Sequence, residues 1–136
     1  MSAPTVAPPL AGNVLGSNNN DFVIAEWQDA GGVQAQPHLI APLHLHRSDD
    51  EAWYVLEGPL RVKMGDEEVE LRAGSGVLVP RGTPHTYWNP GSERVRYLLV
   101  MTSRIYGLIQ EIHATKERTL PTMQALFNRF DSELLG

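Results

Sequence analysis

The chain has 136 residues, a net charge of -5 and 20% charged residues, which suits one domain burying about two thirds of its unfolded surface. It contains no cysteine, so disulfides, thiolate catalysis and Cys-based zinc sites are excluded and any metal must take nitrogen and oxygen ligands. The first Lys or Arg is Arg47 and no basic stripe exists, which speaks against nucleic acid and anionic membrane as partners. The start, Met1-Ser2-Ala3-Pro4-Thr5, lacks a positive n-region and an apolar h-region, and no apolar run approaches the ~18 residues of a membrane span, so the chain reads as a soluble, cytoplasmic protein.

Residues 1–20, rich in Pro, Gly, Ala and Asn, predict a flexible N-terminal arm. Residues 21–102 then carry a rhythm of short strands. The aromatic and β-branched content of 22–27 predicts the first, stopped by Asp29-Ala30-Gly31-Gly32, and a second extended segment over 33–40 leads through Pro42. Further strands follow over 51–56, 60–64, 68–71, 76–79, 85–89 and 94–101. Gly58-Pro59, Gly65-Asp66, Ala73-Gly74, Pro80-Arg81-Gly82 and Asn89-Pro90-Gly91-Ser92 punctuate them, as a β-sandwich or barrel requires. Neither a Walker loop nor a βαβ rhythm appears.

After Thr102 the period changes. Ile105, Leu108, Ile109 and Ile112 follow the helical template, with Ser103 placed to cap. A second helix begins near Pro121 and repeats the stripe at Met123, Leu126, Phe127, Phe130 and Leu134. Residues 103–136 thus form a C-terminal helical extension whose apolar faces need cover, on the same barrel or on a neighbouring subunit. Together with exposed strand edges they predict a homodimer.

Chemistry concentrates in two stretches. In His44-Leu45-His46 the two imidazoles project from one face of a strand and can close on one cation. The polar run Arg47-Ser48-Asp49-Asp50 predicts a turn, and a hairpin there would fold Glu51 back beside the histidines. The second stretch runs from Gly74 through Pro80 and Gly82 to His85 and Asn89, with His85 opening a strand.

In these residues the chain resembles the cupin superfamily. His44, His46, Glu51 and Gly58 match its first motif, and Gly74, Pro80, Gly82, His85 and Asn89 match its second; a glycine usual six residues before the first motif histidine is His38 here. The resemblance, over about residues 22–102, implies an all-β jelly-roll barrel, the double-stranded β-helix of cupins. It further implies that His44, His46, Glu51 and His85 bind one divalent transition metal, Fe, Mn, Ni, Zn, Co or Cu. Three imidazoles and one carboxylate suit a borderline first-row metal and leave positions for water or substrate.

Alternation places Trp53 on the face of Glu51, and Tyr87 and Asn89 on the face of His85. Trp53 and Tyr87 are candidate pocket walls. Glu51 and Tyr87 are the candidate catalytic residues, the first as ligand and proton acceptor, the second as a donor to a bound oxygen. Asp49 and Asp50 read as exposed turn residues, Asn89 as a brace for the turn after it, Arg81 as a surface arginine, and His38 and His113 as residues outside the site. The functional reading is a metal-dependent, dioxygenase-type oxidoreductase acting on a small molecule. The alternatives are a non-catalytic binding or sensor module and an isomerase or epimerase.

Overall fold

The computed structural model describes residues 3–32 and 38–136. Ten strands and two helices follow in chain order: β1 (Val14–Leu15), β2 (Phe22–Asp29), β3 (Leu39–His46), β4 (Glu51–Glu57), β5 (Leu60–Met64), β6 (Glu67–Leu71), β7 (Gly76–Val79), β8 (His85–Trp88), β9 (Val95–Thr102), α1 (Ser103–Ala114), α2 (Leu120–Arg129) and β10 (Ser132–Leu134). They form two antiparallel five-stranded sheets, ordered β1-β2-β9-β4-β7 and β10-β3-β8-β5-β6, packed as a jelly roll with a helical extension. The strand predicted from residue 33 is observed from Leu39; residues 33–37 lie outside the described residues.

Period-two alternation builds the core. On β9, Val95, Tyr97, Leu99 and Met101 are buried, while the residues between them are only partly so. They meet Trp53 and Val55 of β4 and Val23 and Ala25 of β2, and across the interior Leu60, Val62 and Tyr87 of the second sheet. Within the N-terminal segment, β1 pairs with β2 and adds an edge strand.

Three local expectations are corrected. The turn at 47–50 makes no hairpin: β3 pairs with β8 and β10, whereas β4 pairs with β7 and β9. The chain crosses here from one sheet to the other, so Glu51 meets the histidines across the interior. The cap of α1 is Thr102, whose hydroxyl accepts from the Ile105 N–H, and not Ser103. The last helix stops at Arg129 instead of continuing to Leu134. Asp131 takes a left-handed φ of 54°, which a short polar side chain tolerates, and the chain then runs back as β10 along the open edge of β3, Ser132 opposite His46 and Leu134 opposite His44. Burial explains why the pattern misled: Leu134 does pack with Leu108, Leu126 and Phe127, but from a strand.

Both helices cover their own barrel. Ile105 belongs to the main core, with Tyr106 and Ile109 against it. Leu108 of α1 closes a second cluster with Leu126 and Phe127 of α2.

The first-motif glycine, Gly58, is set by space: a Cβ there would sit 2.9 Å from the Leu71 carbonyl oxygen and 3.0 Å from Val55 Cγ1. Gly58→Ala should therefore lower stability by about 1–3 kcal/mol, read as a lower denaturant midpoint at unchanged m-value; an unchanged midpoint would show that this turn relaxes freely.

Candidate metal centre

His44 and His46 end β3, Glu51 opens β4 and His85 opens β8. All four are buried, and one donor atom from each lies within 4.8 Å of the others. Strand register brings them together: His44 is paired directly with His85. The two motifs are joined by backbone as well, because the Gly82 N–H donates to the His46 carbonyl at 2.7 Å; Gly82 sits at φ +79° in that turn, a conformation that favours glycine.

The protons of these rings are assigned by their surroundings. His44 Nδ1 lies 2.6 Å from the Pro42 carbonyl and His85 Nδ1 lies 2.9 Å from the Thr83 carbonyl. A carbonyl only accepts, so both Nδ1 atoms carry hydrogen. His46 Nδ1 lies 2.7 Å from Ser132 Oγ. That hydroxyl donates to the Phe130 carbonyl at 3.2 Å, so it accepts from His46. In the neutral rings every Nε2 is then a lone pair. Two of them face Glu51 Oε1, His85 Nε2 at 3.1 Å and His46 Nε2 at 3.3 Å, and His46 Nε2 is buried with no hydrogen-bond partner. Lone pairs set against a carboxylate oxygen repel, and only added protons or a cation reverses that. The donor set therefore fits a metal ion, and the Nδ1 bonds supply the outer support that ligating imidazoles use.

The electrostatics agree. Burial, with the neighbouring His85 and His46, lowers His44 to about 4, so its lone pair stays free in mildly acidic solution. Burial alone would raise Glu51, but the hydrogen bonds and charge that His46 and His85 supply when they carry a proton on Nε2 outweigh it and hold the carboxyl at about 2; a cation among the four donors acts in the same direction.

The cluster opens into a cavity of about 320 Å³ lined by Trp53, Tyr87, Tyr97, Leu99 and Ile40, roofed by Ile105, Leu108 and Ile109 of α1 and Phe127 of α2. Trp53 stacks edge-on against both His85 and Tyr87, and Phe127 against His44. The Tyr87 and Tyr97 hydroxyls are 3.0 Å apart. Burial and Tyr97 push Tyr87 well above the usual phenol range, and burial pushes Tyr97 to about 12; both stay protonated.

The remaining expected residues divide. Asn89 braces its turn, accepting from Gly91 N–H and donating to the Glu93 carbonyl. Arg81 pairs with Asp50. Asp49 is buried, contrary to expectation, because Arg104 of α1 reaches it at 3.4 Å. His38 is exposed and does not line the cavity; His113, expected outside, is exposed and is one of the residues that line it. Tyr97 and Ser132 were not anticipated. Alternation along β9 points to Tyr97; nothing local points to Ser132, which lies 86 residues from His46.

Residues 33–101, about half the chain, match the family model described as the cupin domain. The chain belongs to the cupin family. It is similar to the quercetin 2,3-dioxygenase of Bacillus subtilis, 39% identical over 46 residues, 34% of this chain and 14% of that protein. Among solved structures it is similar to a candidate sugar phosphate isomerase of Acidithiobacillus ferrooxidans, with 25% identity and a TM-score of 0.53 over 61% of this chain and 51% of the other. A cupin protein of Bacteroides fragilis, 14% identical, shares the fold at a TM-score of 0.58 over 74% of this chain and 82% of its own. This cupin spans less than half the length of the curated relatives it matches.

Two predictions follow from the ring environments. His44 in the metal-free fold stays unprotonated down to about 4, whereas in the unfolded chain it protonates near 6.5. Between those values the unfolded state binds the extra proton, so stability falls as pH falls through this window, by roughly 3 kcal/mol from this residue; denaturant midpoints of chelator-treated protein at pH 7, 5.5 and 4.5 check the slope, and a flat series contradicts it. Ser132→Ala should weaken metal binding about 10–100-fold and let His46 shift toward its other tautomer, visible in imidazole nitrogen shifts. A variant that only loosened β10 would lose stability without the tautomer change.

Proposed function

We propose that this cupin is a metal-dependent oxidoreductase of the dioxygenase type, in which His44, His46, Glu51 and His85 hold one divalent first-row metal beside a small organic substrate. The observation that carries the reading is the convergence of three Nδ1-anchored imidazoles and an ionised carboxylate, buried at the end of a cavity large enough for a ligand. When bound, Fe, Mn, Ni, Co or Cu would supply redox chemistry with dioxygen and Lewis-acid activation of an oxygen-bearing substrate, chemistry that zinc supplies only in its Lewis-acid part.

This chain's own residues do the rest. The low pKa of Glu51 suits a ligand better than a base, since proton acceptors work best with a pKa near the operating pH. Tyr87, protonated and on the cavity wall, offers its hydroxyl hydrogen to a substrate oxygen. The apolar roof from α1 and α2 keeps bulk water from the reacting end. The likeness to the Bacillus subtilis quercetin 2,3-dioxygenase supports the reaction class. A non-catalytic bracing role fits less well, because a structural site has no need of an adjoining cavity.

Metal analysis and oxygen uptake test the proposal together. Protein purified without added metal should hold close to one equivalent; His44→Ala and His85→Ala should each lose most of it and melt at lower temperature, since the metal stabilises the fold that binds it. Stoichiometric metal in the His44, His46 double alanine variant would remove the ligand assignment. No oxygen consumption with flavonols, catechols or diketones under any of the redox metals would remove the dioxygenase reading.

A further inference from the structure

The two sheets differ in what they turn outward. On β5 and β6 the outward positions are Arg61, Lys63, Glu68 and Glu70, with Arg61 paired to both glutamates, the polar pattern of an antiparallel sheet that faces water. Along β2, β9, β4 and β7 the outer face is apolar instead. Strand register sets Ile24 beside Val100, Val100 beside Ala52 and Ala52 beside Leu78, and in the next row Leu98 beside Tyr54. All six alternate with more deeply buried neighbours and so point away from the barrel. Leu78 is 60% exposed and Tyr54 46%.

This face is level, and its centre carries no charge. Gly76 is the residue opposite Tyr54 on β7. A Cβ there would stand 2.8 Å from the Trp53 carbonyl oxygen and 3.3 Å from Tyr54 Cδ2, so the phenol ring leans toward the glycine and no side chain rises beside it. At one margin Arg96 is paired with Glu26 at 3.3 Å and with Glu57 at 3.1 Å. The described part of the N-terminal arm stays at that margin, where Ala11 and Gly12 line a hollow with Glu26 and Arg96, and leaves Tyr54 and Leu78 bare.

We infer that this face is a homodimer interface, in which two copies pack their β2-β9-β4-β7 faces together about a two-fold axis. A two-fold contact sets a patch against itself, so charges near its centre would meet their like; an uncharged apolar face avoids that. A partner recognised by charge finds nothing here to pair with. A lipid surface is met by free lysine or arginine around an apolar centre, whereas the arginine at this margin is already paired and the chain carries a net charge of -5. Four strands about 4.8 Å apart and about 20 Å of strand length give a footprint of about 400 Å². That is an apolar core which a polar rim extends to the roughly 800 Å² per partner of a standard interface. The contact differs from one made by α1 and α2, whose apolar faces are buried on their own barrel, and it leaves the cavity roof free.

Sedimentation equilibrium of the full chain tests this. At micromolar concentration the wild-type mass should be twice the 15.1 kDa of one chain. Tyr54→Lys and Leu78→Lys, which bring like charges into the contact, should each weaken the dimer at least about a hundredfold and sediment as monomers. Their circular dichroism should be unchanged, since both side chains are exposed in the single chain. Lys63→Ser, on the polar outer face of the other sheet, should leave the dimer intact. If a lysine variant folds poorly, Tyr54→Ser and Leu78→Ser, which add no charge, should shift the equilibrium in the same direction. A wild type that stays monomeric across the micromolar range, or a dimer that the Tyr54 and Leu78 variants leave intact, would overturn the inference. The readout is mass and not metal content or turnover, so failure here leaves the proposed reaction standing.

Discussion

A buried carboxylate facing two buried lone pairs is the condition around which this molecule is arranged. Glu51 could have faced an arginine, as Asp49 faces Arg104 at 3.4 Å. Instead its neighbours are imidazoles whose Nδ1 protons are committed elsewhere. A neutral imidazole offers such a carboxylate nothing, and an isolated charge in an apolar interior is costly. Each Nδ1 bond that fixes a ring also turns its other nitrogen into a donor for a cation, so the hydrogen bonds that orient the cluster also create its need for positive charge.

The C-terminal extension takes part in that arrangement. The last helix gives way to β10, which pairs with β3 and seats Ser132 on His46, while α1 and α2 roof the cavity next to the same cluster. Arg47, Arg104 and Asp131 tie the extension to the turn between β3 and β4 by ion pairs. These pairs are partly exposed, so each contributes little by itself; their effect is to hold β10 in register beside the site. Loosening the extension should therefore be felt first at His46.

Much of the site was legible in the chain because it rests on short-range pattern. The spacing of His44 and His46 placed two rings on one face, the turn residues before His85 placed the third, and alternation put Trp53 and Tyr87 on the interior. What escaped depends on contacts between distant segments. The sequence at 47–50 describes a turn, but not whether the next strand stays in the same sheet. Leu134 completes a helical stripe whether it is reached by helix or by strand, and only the open edge of β3 decides. Asp49 looks solvent-exposed until Arg104 is brought to it, and Ser132 has no local mark at all.

The central claim is that these four side chains converge on one metal ion. A crystal structure of the protein purified without added metal, with anomalous scattering measured across the absorption edges of the first-row metals, tests it most directly. The account predicts a single anomalous peak within about 2.0–2.2 Å of three imidazole Nε2 atoms and a Glu51 oxygen. Four donors linked only by protons and water, with any metal bound elsewhere on the chain, would contradict it.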